Sequence, residues 1–315
     1  MTATQLVVSL PGTELHDLLV RDGLPEGVTL IRWDLDGPAP TDHIDIVVPP
    51  YMTSVTRLAH LEGVTTRLVQ KQSIGYDGAA DYLPPGNTLA NAASVHESAT
   101  AELTLALILA MQRGLPDFIR GAKRGAWDQT QRDGLADHRV IIVGYGGVGK
   151  AIEARLRPFE VSITRVAHSA RETPAGRIHA VEDLPALLPD ADIVVLALPL
   201  TPQSEGLVDD TFLGLMPKKA LLVNIARGPI VDTAALVRHL DSGHIRAALD
   251  VTDPEPLPAG HPLWETPNTL ITPHVGGRTA AMMPRFVALL QEQIRRLQSG
   301  QEPINVVISG SSGKR

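Results

Sequence analysis

The chain contains no cysteine, which excludes disulfide bonds, thiolate metal ligands and a cysteine nucleophile. Aromatic residues make up only 3% of it, so its cores must be filled by Ala, Val, Leu and Ile. The most apolar stretch, Leu103–Met111, is far shorter than the roughly 20 residues that cross a bilayer, and it predicts a buried helix. Acidic residues outnumber basic ones, 35 to 28. The resulting net charge of −7 argues against nucleic-acid binding through a broad basic face.

The N-terminus lacks the basic start and the apolar segment of a secretory signal, so we expect a cytoplasmic protein without membrane association. At 315 residues and 43% hydrophobic content, the chain is large enough for two globular domains. The final segment, Ser309–Arg315, is low in complexity and is predicted to be disordered.

Short apolar runs alternate with longer amphipathic ones along the chain, which predicts an α/β fold with mostly parallel sheets. The predicted strands are Gln5–Ser9, Thr29–Trp33, Asp45–Val48, Arg67–Gln70, Val140–Val143, Val161–Val166, Ile193–Leu198, Ala220–Ile225, Arg246–Asp250 and Thr269–Ile271. The predicted helices are Thr13–Arg21, Ser98–Gln112, Gly147–Phe159, Thr233–Ser242 and Ala281–Ser299.

A glycine motif, G-x-G-x-x-G, follows the predicted strand Val140–Val143 and opens the helix after it. In this context the motif indicates a dinucleotide site, with the pyrophosphate at the helix N-terminus. An ordinary glycine-rich turn is the alternative interpretation. The predicted cofactor contacts of this loop are Gly144, Tyr145, Gly146, Gly147, Val148 and Gly149.

The residues after the next strand indicate which dinucleotide is preferred. NAD sites usually place an acid there for the ribose 2′-hydroxyl, but no acid occurs before Glu172. His168, Ser169 and Arg171 could instead bind a 2′-phosphate. We therefore expect NADP (NADPH) to be preferred, with NAD still possible.

Three later segments each follow a predicted strand and contain a residue suited to chemistry. They read NIARGPIVD around Arg227, LDVTDPEP around Glu255 and TPHVGG around His274. In a parallel sheet these strand ends share one edge, so the three side chains are expected to converge. Each of them alone also has an ordinary structural interpretation.

Taken together, these segments resemble the D-isomer-specific 2-hydroxyacid dehydrogenase family. The resemblance extends to LALPLTPQSEGLVD, HPLWETPNTLITPH, QSIGYDG and the ending PINVV. It implies a hydride transfer between a nicotinamide and a 2-oxo acid or D-2-hydroxy acid, with reduction favoured. In that reaction Arg227 would bind the substrate carboxylate, and His274 would act as the general acid/base. Glu255 would orient the His274 ring and stabilise the imidazolium.

The resemblance also implies further contacts. For the cofactor these are Thr100, Leu198, Pro199, Ile225, Ala226, Asp250 and Gly276, with a strand-end cap as the alternative role of Asp250. For the substrate, backbone groups of Ile74 and Gly75 would bind the carboxylate, and Tyr51 and Met52 would line the side-chain pocket. No metal ligand is predicted. Thr252 replaces the phenylalanine that is common in the family.

The resemblance further implies two Rossmann-like parallel-sheet domains with the active site in the cleft between them. The flavodoxin-like substrate domain would be discontinuous, 1–92 plus 288–315, and the dinucleotide-binding Rossmann domain would be 93–287. A homodimer is expected, with Trp127 either at its interface or packed in a core. Two alternatives stay open: a non-catalytic, dinucleotide-sensing corepressor-like protein, and a dehydrogenase of another small anion such as formate or phosphite.

Overall fold

The computed structural model of the protein describes residues 4–310, so residues 311–315 of the tail predicted to be disordered lie outside it. The chain forms two compact units. The first runs to His96 and resumes at Ala280, and the second is Glu97–Thr279. The predicted border at 287–288 falls inside a helix, Met282–Gln298. Because Phe286 and Val287 pack into the core of the first unit with the rest of that helix, the border lies before it.

The first unit contains a six-stranded sheet in the order β14-β5-β4-β3-β1-β2, parallel except for β14. The order β2-β1-β3-β4-β5 is that of flavodoxin-like folds. The strands are β1 (Leu6–Leu10), β2 (Val28–Arg32), β3 (Ile46–Val47), β4 (Leu68–Gln70), β5 (Leu89–Ala90) and β14 (Val306–Ile308). The helices of this unit are α1 (Glu14–Arg21), α2 (Ala79–Tyr82) and α9 (Met282–Gln298).

The second unit contains an eight-stranded sheet in the order β13-β12-β11-β10-β6-β7-β9-β8, in which β8 alone runs antiparallel to its neighbour. Its strands are β6 (Arg139–Val143), β7 (Ser162–Ala167), β8 (Arg171–Thr173), β9 (Gly176–Ala180), β10 (Ile193–Leu196), β11 (Leu221–Asn224), β12 (Arg246–Leu249) and β13 (Thr269–Ile271). Its helices are α3 (Glu97–Gln112), α4 (Leu115–Ala122), α5 (Gly147–Leu156), α6 (Leu184–Leu187), α7 (Asp210–Leu215) and α8 (Thr233–Asp241).

The two sheets confirm the predicted α/β class with Rossmann-like topology. In the second sheet, the strand order reverses where β6 lies between β10 and β7. Ligands of open parallel sheets bind at such a switch point, beyond the carboxyl ends of the strands. The glycine loop follows β6 directly, so the topology puts it at this position.

The central strands β6, β10 and β11 consist almost wholly of apolar residues because both of their faces are covered. All four residues of β10 are buried, as are all four of β11. Alternate residues pack into two cores: Val194 and Leu196 belong to one, and Ile193 and Val195 to the other. This packing explains why continuous apolar runs identified these strands.

Four strands were missed by the sequence patterns, namely β5, β8, β9 and β14. β5 (Leu89–Ala90) and β14 (Val306–Ile308) are apolar but only two and three residues long, whereas β8 and β9 are not continuous apolar runs. The β8–β9 hairpin is mostly polar, and β8 is the edge strand of its sheet. Among residues 4–310, no helix is both long and apolar enough to traverse a bilayer.

Candidate active site

The glycine loop after β6 is formed by close backbone approaches. Gly144 has φ of +102°, and a Cβ there would collide with the carbonyl of Ala197. A Cβ at Gly149 would collide with the carbonyl of Gly144, so α5 packs close to the loop. In contrast, a Cβ at Gly146 would meet no atom within 4 Å. The exposed Gly146 caps the N-terminus of α5, and this open, donor-rich place fits a dinucleotide pyrophosphate.

The side chain between the first two glycines, Tyr145, is tied to α5 and β7. Its hydroxyl donates to Oε2 of Glu153 over 2.6 Å. Arg165 donates to both oxygens of the same carboxylate, and its guanidinium carbon lies 5.6 Å from the Tyr145 ring centre. Arg157 adds two further hydrogen bonds to Oε1. We call Tyr145, Glu153, Arg157 and Arg165 the Glu153 cluster. Sequence reasoning missed it, and an acidic residue on the core side of an amphipathic helix was its only signal.

The Glu153 carboxylate is an ionised group in a buried place, with 3% of its side chain exposed. Burial by itself raises the pKa of Glu153. Hydrogen bonds from Arg165, Tyr145 and Arg157 oppose burial and outweigh it, so the pKa is lowered from its ordinary 4.5 to about 2. The same carboxylate raises the pKa of the Arg165 guanidinium, although burial lowers it. The cluster therefore holds one carboxylate between two guanidinium groups, and the opposite charges stabilise each other.

The predicted 2′-phosphate residues lie just beyond the end of β7. His168, Ser169 and Arg171 are all exposed, and Arg171 opens β8. The guanidinium of Arg171 donates to the carbonyl of Ser169 over 3.3 Å, which folds it back over the strand end. Arg165, the other arginine of this stretch, is only 12% exposed and is held by Glu153. Arg171 is therefore the cation that this segment presents to solvent.

His274 and Glu255 are brought together although 18 residues separate them in the chain. Nδ1 of His274 lies 2.5 Å from Oε1 of Glu255, while 28% of the His274 side chain and 39% of the Glu255 side chain stay exposed. Because the carboxylate occupies Nδ1, Nε2 is the ring nitrogen left for a substrate. His274 has φ of +51°, in the left-handed region where non-glycine residues are uncommon. The loop that bears it must be held by its surroundings.

Asp250 provides that support. Its Oδ1 accepts from the Thr272 hydroxyl at 2.6 Å and from the Val275 amide at 2.9 Å, and its Oδ2 accepts from the Gly276 amide at 2.9 Å. Its carbonyl accepts from the His274 amide at 2.7 Å. Asp250 is 3% exposed, so these bonds form in a poorly solvated place. The residue predicted to contact the cofactor thus braces the His274 loop, and Thr272 is a positioning residue that sequence reasoning missed.

Arg227 follows β11 and is held by Asn224, the last residue of that strand. The buried Asn224 side chain accepts from the amide of Ala226 and donates to the carbonyl of Arg227. The guanidinium of Arg227 donates to the carbonyl of Ala226 over 2.6 Å. A Cβ at Gly228 would collide with the carbonyl of Thr252, so the loops after β11 and β12 lie against each other. Asn224 is the second positioning residue that sequence reasoning missed.

The remaining predicted cofactor residues of the second unit also lie near strand ends or beside the His274 loop. A Cβ at Gly276 would lie 3.5 Å from Cγ2 of Thr100, in the first turns of α3. Leu198 and Pro199 follow β10, and Ile225 and Ala226 are the buried residues that follow β11. No group of three or more acidic or histidine side chains within residues 4–310 is arranged to hold a metal ion.

The four predicted substrate residues outside the second unit belong to two loops of the first unit. Asn91 donates from its amide to the carbonyl of Ile74, and Ser73 donates from its hydroxyl to the carbonyl of Gly75. Tyr51 is half-buried, whereas Met52 is exposed and has φ of +56°. These four residues belong to the first unit, whereas Arg227, Glu255 and His274 all belong to the second.

Comparison with known proteins identifies the family of the chain. Residues 105–276 match the profile described as D-isomer specific 2-hydroxyacid dehydrogenase, NAD binding domain. The human glyoxylate reductase/hydroxypyruvate reductase is 33% identical over 276 residues, which cover 79% of this chain and 81% of that protein.

Two solved structures are also similar. A D-isomer specific 2-hydroxyacid dehydrogenase from Xanthobacter autotrophicus in complex with NADPH and MES has 28% identity, a TM-score of 0.80 and coverage of 96% and 98% of the two chains. An NADPH-dependent glyoxylate/hydroxypyruvate reductase from Sinorhizobium meliloti, in complex with NADP and malonate, has 25% identity, a TM-score of 0.78 and coverage of 96% and 97%. The profile match spans more than half of the chain, and with these likenesses it shows that the chain belongs to the D-isomer-specific 2-hydroxyacid dehydrogenase family, the oxidoreductases that use a nicotinamide cofactor.

Proposed function

We propose that the protein reduces a 2-oxo acid to a D-2-hydroxy acid, with NADPH as the preferred reductant. The observation that supports this most directly is the His274–Glu255 pair, which lies on the same sheet edge as the glycine loop and Arg227. Similar proteins from human and Sinorhizobium meliloti bear the name glyoxylate/hydroxypyruvate reductase, which favours a small 2-oxo acid.

The proposed roles follow from the chemistry of each group. Arg227 binds the substrate carboxylate with its planar guanidinium and polarises the adjacent carbonyl. Backbone amides of Ile74 and Gly75 bind the same carboxylate, and Tyr51 and Met52 line the pocket for the rest of the substrate. The nicotinamide, when bound, supplies a hydride to the carbonyl carbon.

His274 completes the reduction by giving the Nε2 proton to the carbonyl oxygen as it becomes a hydroxyl. Glu255 holds the ring through Nδ1 and stabilises the imidazolium before the proton leaves. In the reverse direction the neutral Nε2 removes the hydroxyl proton. The contact between Nδ1 of His274 and Oε1 of Glu255 supports these roles in both directions.

The preference for NADPH is supported by the residues after β7. An acid that would repel a 2′-phosphate is absent from Ala167–Arg171, and His168, Ser169 and Arg171 are exposed there. The similar Xanthobacter autotrophicus protein was solved with NADPH. Gly144–Gly149 at the N-terminus of α5 would hold the pyrophosphate, and NAD would bind more weakly.

The test is turnover of NADPH, and separately of NADH, with glyoxylate, hydroxypyruvate, pyruvate, phenylpyruvate and branched 2-oxo acids. We expect oxidation of NADPH with at least one small 2-oxo acid and a lower kcat/KM with NADH. Binding of NADPH without turnover of any of these acids would instead favour a dinucleotide-sensing protein. Activity with formate or phosphite alone would assign the site to another small anion.

We also propose that the protein is a homodimer that works in the cytoplasm. In the described chain, Ile119 on α4 is 60% exposed and Trp127 after it is 90% exposed, which rules out the core-packing interpretation of Trp127. Large exposed apolar side chains that cluster in sequence are typical of a protein interface. Light scattering should give a mass twice the chain mass of 33.7 kDa. In the double variant Trp127→Ser, Ile119→Ser the measured mass should shift toward that of the monomer.

A further inference from the structure

His96, the last residue of the first unit, is a buried histidine outside the predicted catalytic set. It is 4% exposed, and its Nε2 lies 2.6 Å from the carbonyl oxygen of Gln72. A carbonyl can only accept, so Nε2 must carry a proton. In the neutral ring this assigns a lone pair to Nδ1, which is therefore a hydrogen-bond acceptor.

That acceptor has no hydrogen-bond partner among residues 4–310. Buried polar atoms in folded proteins almost always have one, and leaving one unpaired costs about 1–3 kcal/mol. A donor that arrives from outside the chain would remove this cost. Nδ1 of His96 therefore has the property expected of a ligand contact.

The position of His96 connects it to both predicted substrate loops of the first unit. Its ring stacks on Tyr51, with ring centres 5.9 Å apart and an angle of 15° between the planes. Gln72, which accepts from His96, donates from its own amide to the carbonyl of Pro49 at 2.9 Å. Gln72 also leads directly into the segment Ser73–Gly75. One buried network thus joins the loop of Tyr51 to the loop predicted to bind the carboxylate.

We propose that Nδ1 of His96 accepts a hydrogen bond from a hydroxyl group on C3 of the substrate, so that His96 determines specificity for 3-hydroxy-2-oxo acids. This proposal rests on the proposed function, because it assumes a 2-oxo acid bound through its carboxylate at Ile74–Gly75. A C3 hydroxyl supplies the missing donor. An analogue with hydrogen in place of this hydroxyl leaves Nδ1 unpaired, and a buried acceptor without its donor disfavours such an analogue.

Hydroxypyruvate and pyruvate differ by this one hydroxyl group, so the ratio of their kcat/KM values with NADPH measures the interaction. In the unmodified protein we expect hydroxypyruvate to be favoured by about tenfold or more, since one hydrogen bond to a buried acceptor is worth about that factor. The ratio is taken within one preparation, so a partly folded sample does not alter it. An unmodified protein that favours pyruvate, or is indifferent, would overturn the proposal without any variant.

Two substitutions distinguish the role of Nδ1 as an acceptor from the hydrogen bond that Nε2 donates to Gln72. His96→Gln can place an amide donor near the position of Nε2 and keeps no acceptor near that of Nδ1, whereas His96→Asn places an oxygen near Nδ1 and loses the bond to Gln72. We expect the ratio to fall about tenfold in His96→Gln and to stay within about threefold in His96→Asn. The matched control is His60→Gln, an exposed histidine of the same unit, which should leave the ratio unchanged.

Retention of the ratio in His96→Gln, or equal loss in both variants, would show that His96 only supports the loops or binds water. That result, with turnover intact in the unmodified protein, would refute the role of His96 and leave the proposed function standing. Absence of turnover of every 2-oxo acid in the panel by the unmodified protein would overturn both.

Discussion

The hydroxyl of Tyr145 donates a hydrogen bond to the carboxylate of Glu153 over 2.6 Å, and this contact ties the glycine loop to the helix that the loop begins. The glycines allow the loop to turn, but they contain no side chain that could hold it in place. Tyr145 provides that anchor through a carboxylate that Arg165 and Arg157 keep charged. The dinucleotide loop is therefore braced by an ion-pair cluster beneath it.

Glu153→Gln should lower stability by about 3 kcal/mol or more, because it leaves Arg165 buried with a neutral partner. The loss should depend on pH. The folded pKa of Glu153, about 2, is below its ordinary 4.5, so the stabilisation is complete above about pH 4.5 and is lost as pH falls toward 2. The melting temperatures of the unmodified protein and of the Glu153→Gln variant should therefore converge in acid. Glu205→Gln, at an exposed position of the same unit, is the control, and a gap that persists at pH 2 would contradict this account.

Tyr145→Phe should weaken NADPH and NADH binding equally, by about fivefold, because it removes one hydrogen bond of about 1 kcal/mol from the loop that both cofactors share. We expect kcat at saturating cofactor to stay close to its original value. Fluorescence titration gives both dissociation constants. A melting temperature that falls while both constants stay unchanged would show that the contact supports only the fold.

Arg171→Ala should raise the Kd for NADPH about tenfold or more and leave that for NADH within about twofold, because only NADPH has a 2′-phosphate for the guanidinium to bind. The comparison is made by titrating both cofactors. Arg113→Ala removes another exposed arginine of the same unit, at the end of α3, and should change neither constant. Equal weakening of both cofactors by Arg171→Ala would refute a 2′-phosphate contact.

His274→Ala should reduce kcat by about 10²–10⁴-fold, the usual contribution of a general acid/base, while NADPH binding stays nearly intact. Glu255→Gln should reduce kcat less, because an amide oxygen can still orient the ring but cannot stabilise its positive charge. Single-turnover rates report the chemical step, and NADPH titrations report cofactor binding. His60→Ala is the control, and parallel loss of turnover and cofactor binding in His274→Ala would indicate a structural role.

Asp250→Asn should lower kcat about tenfold, because an amide nitrogen facing the Gly276 amide cannot accept its hydrogen bond and the His274 loop loosens. Thr272→Val removes one donor to the same carboxylate and should act in the same direction with a smaller effect. Both kcat and the Kd of NADPH are measured for each variant, and we expect only kcat to change. If Asp250 served as a cofactor contact alone, its variant would raise that Kd, and Thr272→Val would have no effect.

Much of the molecule was predictable from local patterns. β10 is apolar throughout, β6 is apolar after Arg139 and β11 is apolar up to Asn224, and each strand was located to within two residues at either end. The glycine motif could be interpreted because it lies between such a strand and α5. The polar edge hairpin β8–β9 was not predictable, since its residues show neither a continuous nor a helical apolar pattern. Trp127 could not be assigned from sequence either, because a lone tryptophan is compatible with a core or a surface.

The sequence alone determined the α/β class, the glycine loop and the residue types needed for an acid/base reaction, since these depend on periodicity and short motifs. The tertiary structure decided which side chains meet. Glu255 reaches Nδ1 of His274, Asp250 braces the His274 loop, Arg165 serves Glu153 rather than a cofactor, and His96 joins two loops of the first unit. These contacts link residues distant in the chain, and only strand order and loop packing bring them within hydrogen-bond distance.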